Sequence, residues 1–270
     1  RRTEPMFHTI RKESLEYLTA DSLSGSVHCF STRFGGVSEG VLSSLNLGTH
    51  RGDRPENVWE NYRILGAAVG FTPEQTVFTK QEHTDTILRV GSSDCGTGLL
   101  REQSVVCDGI ITDDPGVALC CFGADCTPIL LYDPVRKAAG AVHSGWRGTA
   151  MGIAAKAVAA MVREFGCNPA DLRAAIGPCI GLCCFEVGAE VPQAMRAALG
   201  ADTEPFLEPH GEKYHVDLKG LNQLWLEQSG LSVIDVCPDC TRCQPERFWS
   251  HRAAGNARGS QTGMIMLRKE

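Results

Sequence analysis

An α/β fold of mixed α+β character, layered as central mixed β-sheets flanked by helices in a single domain spanning residues 1–270, is predicted by three features of the sequence. Short β-rich segments alternate with a few helical stretches. No internal repeat or Pro/Gly/Ser-rich linker divides the chain. A composition of 43% hydrophobic and 21% charged residues in 270 is that of a globular protein with a sizeable core.

The strand candidates in order are 27–33, 76–80, 105–111, 117–122, 129–132, 138–143, 172–176, 233–236 and 264–267, apolar or β-branched runs bounded by turn-forming residues. Pro55 opens a first helix in which Val58, Tyr62, Leu65 and Val69 recur at helical spacing, and Gly70 is placed to end it. A second helix, rich in Ala, Met and Val, is expected over 149–165, where its small residues suit close packing before Gly166. A third is expected over 185–199 despite Pro192, and a fourth over 217–230 with Asp217 as its N-cap.

A net charge of −6 lacks the electrostatic footprint of a protein that binds nucleic acid or an anionic membrane, so neither is expected as a partner. No apolar run approaches the roughly 20 residues that cross a bilayer. The opening Arg1-Arg2-Thr3-Glu4-Pro5 shows neither an initiator Met nor a secretory apolar segment, so a cytoplasmic protein with a trimmed N-terminus is expected, as a monomer or small homo-oligomer. Thirteen cysteines, an odd number, argue for reduced thiols over a disulfide framework. Those in Leu119-Cys120-Cys121-Phe122 read as packing residues.

The segment 123–143 reads as a hairpin. A turn centred between Pro134 and Val135 would set Ile129 opposite Gly140 and Cys126 opposite His143. Opposed residues lie about 4.5–5.5 Å apart at Cα, so the pair could share a metal ion or His143 could lower the thiol pKa of Cys126. The competing reading is a buried thiol beside a strand-end histidine, and a one-residue slip would separate the two faces. A catalytic zinc needs a third protein ligand. His83, in the polar break Lys80-Gln81-Glu82-His83-Thr84-Asp85 after an apolar run, is the candidate, against its reading as a solvated loop histidine.

The stretch Ser144-Gly145-Trp146-Arg147-Gly148-Thr149 runs into the second helix. Amides at a helix start together with Arg147 would suit phosphate or a carboxylate; otherwise Trp146 packs and Arg147 pairs on the surface. Cys237-Pro238-Asp239-Cys240-Thr241-Arg242-Cys243 looks like half a zinc ribbon with no second cysteine pair downstream. Cys179, Cys183 and Cys184 read as a tight turn before a helix rather than a ligand set.

Together these stretches resemble the YfiH-like, laccase-domain family, long labelled multicopper polyphenol oxidases and more recently described as purine nucleoside-processing enzymes. The resemblance runs over nearly the whole chain. It is carried by Phe30-Ser31-Thr32-Arg33-Phe34-Gly35-Gly36, Leu45-Asn46-Leu47-Gly48-Thr49-His50, Glu60-Asn61-Tyr62-Arg63, Gln81-Glu82-His83, Asp108-Gly109-Ile110, Ala124-Asp125-Cys126-Thr127-Pro128, His143-Ser144-Gly145-Trp146-Arg147-Gly148, Ile176-Gly177-Pro178-Cys179 and Phe248-Trp249-Ser250. It departs near the C-terminus, where Ser250-His251-Arg252-Ala253-Ala254-Gly255 replaces the family's Ser-Tyr-Arg-Arg-Asp-Gly, so substrate preference could differ there.

The resemblance implies one zinc on His83, Cys126 and His143, with copper as an alternative metal. It implies phosphorolysis of purine nucleosides (adenosine, inosine, guanosine, methylthioadenosine) with adenosine deamination as a side activity. Asn46, Arg63 and Arg147 are then expected to bind substrate or phosphate, and Asp125 or Glu82 to shuttle protons. Three rivals stand beside this reading. A laccase-type copper oxidase needs paired His-x-His motifs, which none of the eight histidines forms. A thiol hydrolase editing peptidoglycan precursors would use Cys126 as nucleophile and His143 as base. A non-enzymatic interaction protein would use the zinc only to hold its fold.

Overall fold

The structure is a computed structural model that describes residues 6–269; the sequence reading of residues 1–5 lies outside them. The strands are β1 (Phe7–Lys12), β2 (Leu15–Ala20), β3 (Val27–Ser31), β4 (Thr76–Phe78), β5 (Ile87–Arg89), β6 (Gly109–Thr112), β7 (Ala118–Gly123), β8 (Thr127–Asp133), β9 (Ala138–Ser144), β10 (Arg173–Ile176), β11 (Glu186–Val187), β12 (Leu207–His210), β13 (Lys213–Val216), β14 (Val233–Val236) and β15 (Gln261–Met266). The α-helices are α1 (Pro55–Val69), α2 (Trp146–Ala150), α3 (Ile153–Phe165), α4 (Glu190–Leu199), α5 (Leu218–Gln228) and α6 (His251–Ala254).

Two six-stranded mixed sheets, ordered β1-β2-β3-β15-β7-β4 and β14-β10-β8-β9-β6-β5, lie face to face, and a three-stranded antiparallel sheet β11-β13-β12 stands beside them. Strand alternation explains the stacking. On β7, Leu119 and Cys121 turn inward to meet Leu130 of β8 and Ala139 and Ala141 of β9. Ala118 and Cys120 turn outward onto Val58, Tyr62 and Leu65 of α1. On the other sheet Ile129, Leu131 and Val142 turn outward onto Ile153, Ala157, Val158 and Met161 of α3. The order is helix, sheet, sheet, helix, which bears out the layered mixed fold. With both faces of each sheet covered, the central strands are continuous apolar runs without the polar half of an amphipathic pattern.

Helix ends follow the expected chemistry at several points. Pro55 sits in the first turn of α1, and Gly70 closes it at φ 111. Asp217 caps α5 by accepting from the Gly220 amide.

Three expectations are corrected. The helix expected over 149–165 is two helices, because Gly152 takes φ 70 between α2 and α3. The helix expected over 185–199 begins only at Glu190, because Glu186 and Val187 pair with His215 and Tyr214 of β13; Pro192 then falls in the first turn, where its missing N–H costs little. The strand expected over 105–111 starts at Gly109, because Asp108 breaks off to bond the loop that carries His83. The strands β1, β2, β5, β11, β12 and β13 were not expected.

Candidate active site

The three expected metal-binding side chains meet at the ends of adjacent strands. His143 stands near the end of β9, Cys126 in the turn between β7 and β8, and His83 on the loop leaving β4. One ligand atom from each lies within 4.8 Å of the others. Cys126 Sγ is 3.8 Å from His83 Nε2. The two imidazole rings stand 5.0 Å apart, nearly perpendicular at 81°.

The hairpin register differs from expectation by two residues. His143 faces Pro128, and Thr127 faces Ser144. The turn is centred after Val135, where Asp133 Oδ1 accepts from the amides of Val135 and Arg136 and Lys137 takes φ 54. Cys126 is therefore not the direct partner of His143 but lies beyond the last rung, where the Asp125 turn at φ 97 brings its thiol back. Gln81 ties the His83 loop to β7, donating to the Phe122 carbonyl at 3.0 Å and accepting from the Phe122 amide at 2.7 Å.

Asp108 organises the cluster. Fully buried, its Oδ1 accepts from His143 Nδ1 at 2.7 Å and from the His83 amide at 3.1 Å, while Oδ2 accepts from the Glu82 amide and from the Thr84 amide and hydroxyl. One carboxylate thus orients the His143 ring and holds the loop that presents His83. Burial pushes this carboxyl up, but the bonds to His143 and Thr84 outweigh it and hold it below the usual carboxylate range. Burial likewise pushes the Cys126 thiol up, yet His143 and His83 beside it pull it down to about 6. Burial pulls His143 down, but the Cys126 and Asp108 charges carry it up to about 9. Both shifts run in the direction that favours a thiolate beside an imidazolium when no metal is bound.

The donor set fits a zinc ion. Two imidazoles and a thiolate make a three-ligand catalytic site, and the Asp108 bond to Nδ1 leaves Nε2 of His143 for the metal, an arrangement common behind zinc-bound histidines. Gly145 keeps the space open: a Cβ there would stand 2.7 Å from His83 Cδ2 and 3.3 Å from Cys126 Sγ.

The remaining expected residues are placed as follows. Asn46 is fully buried and its amide is engaged, donating to Asp53 and the Gly48 carbonyl and accepting from the Gly48 and Ser260 amides. Arg63 lies on the exposed side of α1 in a bidentate pair with Glu60. Arg147 is exposed and stacks on Trp146 at 4.3 Å, on a five-residue helix rather than at the head of the long one. Asp125 accepts the Thr241 hydroxyl at 2.7 Å and the Arg252 amide at 2.6 Å, so its carboxylate braces the Cys126 turn. Glu82 lines a cleft.

That cleft, about 690 Å³, is bounded by Gly48, His50, Arg51, Lys80, Glu82, Phe122, Ser260 and the 98–103 loop, a volume suited to a small-molecule ligand. Arg258 is a residue the sequence reading did not assign. Burial, and next the charge of Arg51, pull its guanidinium down to about 10, with Asp125 and Cys126 opposing. Its Nε is buried with no hydrogen-bond partner among the described residues. Asp108 is a second residue to which the sequence assigns no role, because it falls inside the strand expected over 105–111, whereas β6 starts only at Gly109.

The fold and site define a laccase-like class. The family described as multi-copper polyphenol oxidoreductase laccase matches residues 27–268, and the chain belongs to it. Purine nucleoside phosphorylase YlmD of Geobacillus stearothermophilus is 37% identical over 93% of this chain and 93% of its own length. Purine nucleoside phosphorylase YfiH of Escherichia coli is 35% identical over 84% of this chain and 88% of its own. The chain matches mouse purine nucleoside phosphorylase LACC1 at 36% identity but spans only 56% of that protein's length. The crystal structure of YlmD from Geobacillus stearothermophilus superposes with a TM-score of 0.92 at 34% identity, covering 98% of this chain and 100% of that one. Among the described residues no helix is long and apolar enough to cross a membrane.

Proposed function

We propose that residues 1–270 act as one catalytic unit, a zinc-dependent purine nucleoside phosphorylase in the cytoplasm that takes adenosine, inosine, guanosine or methylthioadenosine and deaminates adenosine as a side activity. The observation that carries this reading is the convergence of His83, Cys126 and His143, backed by Asp108, beside a cleft of nucleoside size. Relatives named purine nucleoside phosphorylase at similar length support it.

In the reaction a phosphate oxygen bonds to the anomeric carbon of the ribose, the bond from that carbon to the purine nitrogen breaks, and the base leaves with the electron pair and takes a proton. Zinc on the three ligands would supply a fixed positive charge at one end of the site. Arg258, whose Nε lacks a partner, and Arg51 place cationic charge for the phosphate. Phe122 offers an apolar wall for the base, and Glu82 handles the proton. Arg147, exposed and four residues beyond His143, is assigned to phosphate capture. Asn46 serves by shaping the Gly48 wall, and Arg63 is assigned no contact with substrate.

Incubation with adenosine, with and without phosphate, followed by mass spectrometry of the products, tests this. Adenine and ribose 1-phosphate formed only with phosphate, and absent in His83→Ala, are expected. Inosine formed without phosphate would make deamination the main reaction. Unchanged adenosine with full zinc occupancy would overturn the proposal, and turnover by the metal-free protein that is lost on alkylation of Cys126 would favour the thiol hydrolase.

A further inference from the structure

Two segments distant in sequence run side by side beyond the ends of β10 and β14. Cys179 and Cys240 form a parallel bridge, and the Thr241 amide donates to the Cys179 carbonyl at 3.1 Å. The first segment turns tightly after Gly181, whose carbonyl accepts from the amides of Cys184 and Phe185. The second turns through Cys240-Thr241-Arg242-Cys243, closed by the Gln244 amide on the Cys240 carbonyl. The two turns bring together Cys183, Cys184, Cys240 and Cys243, with all four Sγ atoms within 4.8 Å of one another. Cys243 Sγ stands 3.5 Å from Cys183 Sγ and 3.4 Å from Cys184 Sγ.

We propose that these four cysteines form a second metal site, a structural tetrathiolate that binds one zinc ion and shares no ligand with His83, Cys126 and His143. Four sulfurs around zinc at about 2.3 Å stand roughly 3.8 Å apart at the edges of a tetrahedron, close to the spacing here. A disulfide would use two of the four thiols and leave the other two crowded beside it, and Cys243 is placed almost equally near two partners. The backbone is arranged for thiolate as well. The Gly181 amide donates to Cys240 Sγ at 3.2 Å, and a Cβ at Gly181 would press within 3.3 Å of Cys183 Sγ and Cys240 Cβ. No carboxylate or imidazole belongs to the group, and an all-sulfur tetrahedral set selects zinc or an iron–sulfur centre over harder ions. Binding is balanced by proton release: four thiols and one zinc ion give the tetrathiolate and four protons.

The half-ribbon in the sequence therefore finds its missing pair upstream, at Cys183 and Cys184, and Cys237 is not part of the set. The site has a structural consequence for the active centre. Thr241, between two of the ligands, donates its hydroxyl to Asp125, the residue before Cys126. A metal that locks the two turns together also steadies the strained Asp125 turn and the thiol it presents.

The test is metal analysis of protein purified under reductant without chelator. The wild type should carry two equivalents of zinc, Cys183→Ser/Cys243→Ser one, and His83→Ala one. Cobalt substitution of His83→Ala should give the intense visible bands and sulfur-to-metal charge transfer of a tetrathiolate, a readout that holds even if the double variant folds poorly. A single equivalent in the wild type that is unaffected by Cys183→Ser/Cys243→Ser would overturn the proposal. So would an intact mass two hydrogens short, reporting a disulfide among these cysteines, or an iron–sulfur absorption spectrum with no zinc.

Discussion

The buried carboxylate of Asp108 sits 2.7 Å from Nδ1 of His143 and, through the same oxygen, holds the backbone amide of His83. One side chain thereby fixes the tautomer of one imidazole and the position of another. The two histidines come from elements that share no strand pairing. Their relative placement depends on this carboxylate more than on the sheet.

Asp108→Asn tests that dependence. The amide keeps the volume but removes the charge that favours a proton on His143 Nδ1 and can satisfy fewer of the donors converging on it. Loss of such a partner behind a metal-binding histidine costs about 10–100-fold in metal affinity. Competition with a chromogenic chelator should show a weakening of this size with the far-ultraviolet spectrum retained. An unchanged affinity would mean the histidines are positioned without Asp108.

The metal-free cluster should show its ion pair in the pH dependence of thiol reactivity. Cys126 is held at about 6, below its ordinary 9.0, so the stability it lends is present at high pH and is lost as pH falls through about 6. His143 is held at about 9, above its ordinary 6.5, so its contribution is present at low pH and is lost as pH rises through about 9. Between those limits the pair is charged. Alkylation of Cys126 in chelator-treated protein, followed by peptide mass mapping, should inflect near pH 6, and His143→Ala should move the inflection upward toward the range of a free thiol. A wild-type inflection near 9 would mean the thiol does not feel the imidazoles.

The convergence of the three candidate metal-binding side chains was legible in the sequence because ligand chemistry restricts residue type. His83, Cys126 and His143 stand at breaks between apolar runs, where few other side chains bind metal. The hairpin was visible, but its register was not, because an Asx turn at Asp133 and a left-handed Lys137 decide where the chain reverses. Asp108 had no distinguishing mark, since it falls within the run 105–111 that reads as a strand, and only the break at Gly109 frees its carboxylate to bind the His83 loop. Asn46 shows the converse: a buried asparagine in a motif could touch substrate or brace a loop, and only its partners Asp53, Gly48 and Ser260 decide. The small sheet of β11, β12 and β13 escaped notice because two paired residues at Glu186 and Val187 are too few to make a pattern.

Gly145 offers a steric test that leaves the chemistry of the ligands intact. Its φ of −74° is open to alanine, so the backbone imposes no penalty. The added methyl would strike the His83 ring at 2.7 Å and crowd the Cys126 thiol. Gly145→Ala should shift His83, lower metal occupancy and activity at least tenfold, and destabilise the chain by about 1–3 kcal/mol, the usual cost of overpacking. Normal metal content and turnover would place the His83 ring elsewhere in solution.

Arg258 separates a functional charge from a structural one by the sign of its effect on stability. Its guanidinium bonds the Gly259 carbonyl at 2.9 Å, yet Nε is buried without a partner, and Arg51 adds repulsion. A partly desolvated cation in that state costs folding free energy. Arg258→Met preserves the aliphatic stem and removes the charge, so the melting temperature should hold or rise. If Arg258 binds phosphate, the same change should raise the KM for phosphate by about 10–100-fold, the worth of a hydrogen bond to a charged group, while the KM for nucleoside moves little. Arg258→Lys should recover part of that loss by restoring charge without the planar fork. A fall in stability with no change in the phosphate KM would assign Arg258 to the fold instead, leaving Arg51 and Arg147 to bind phosphate.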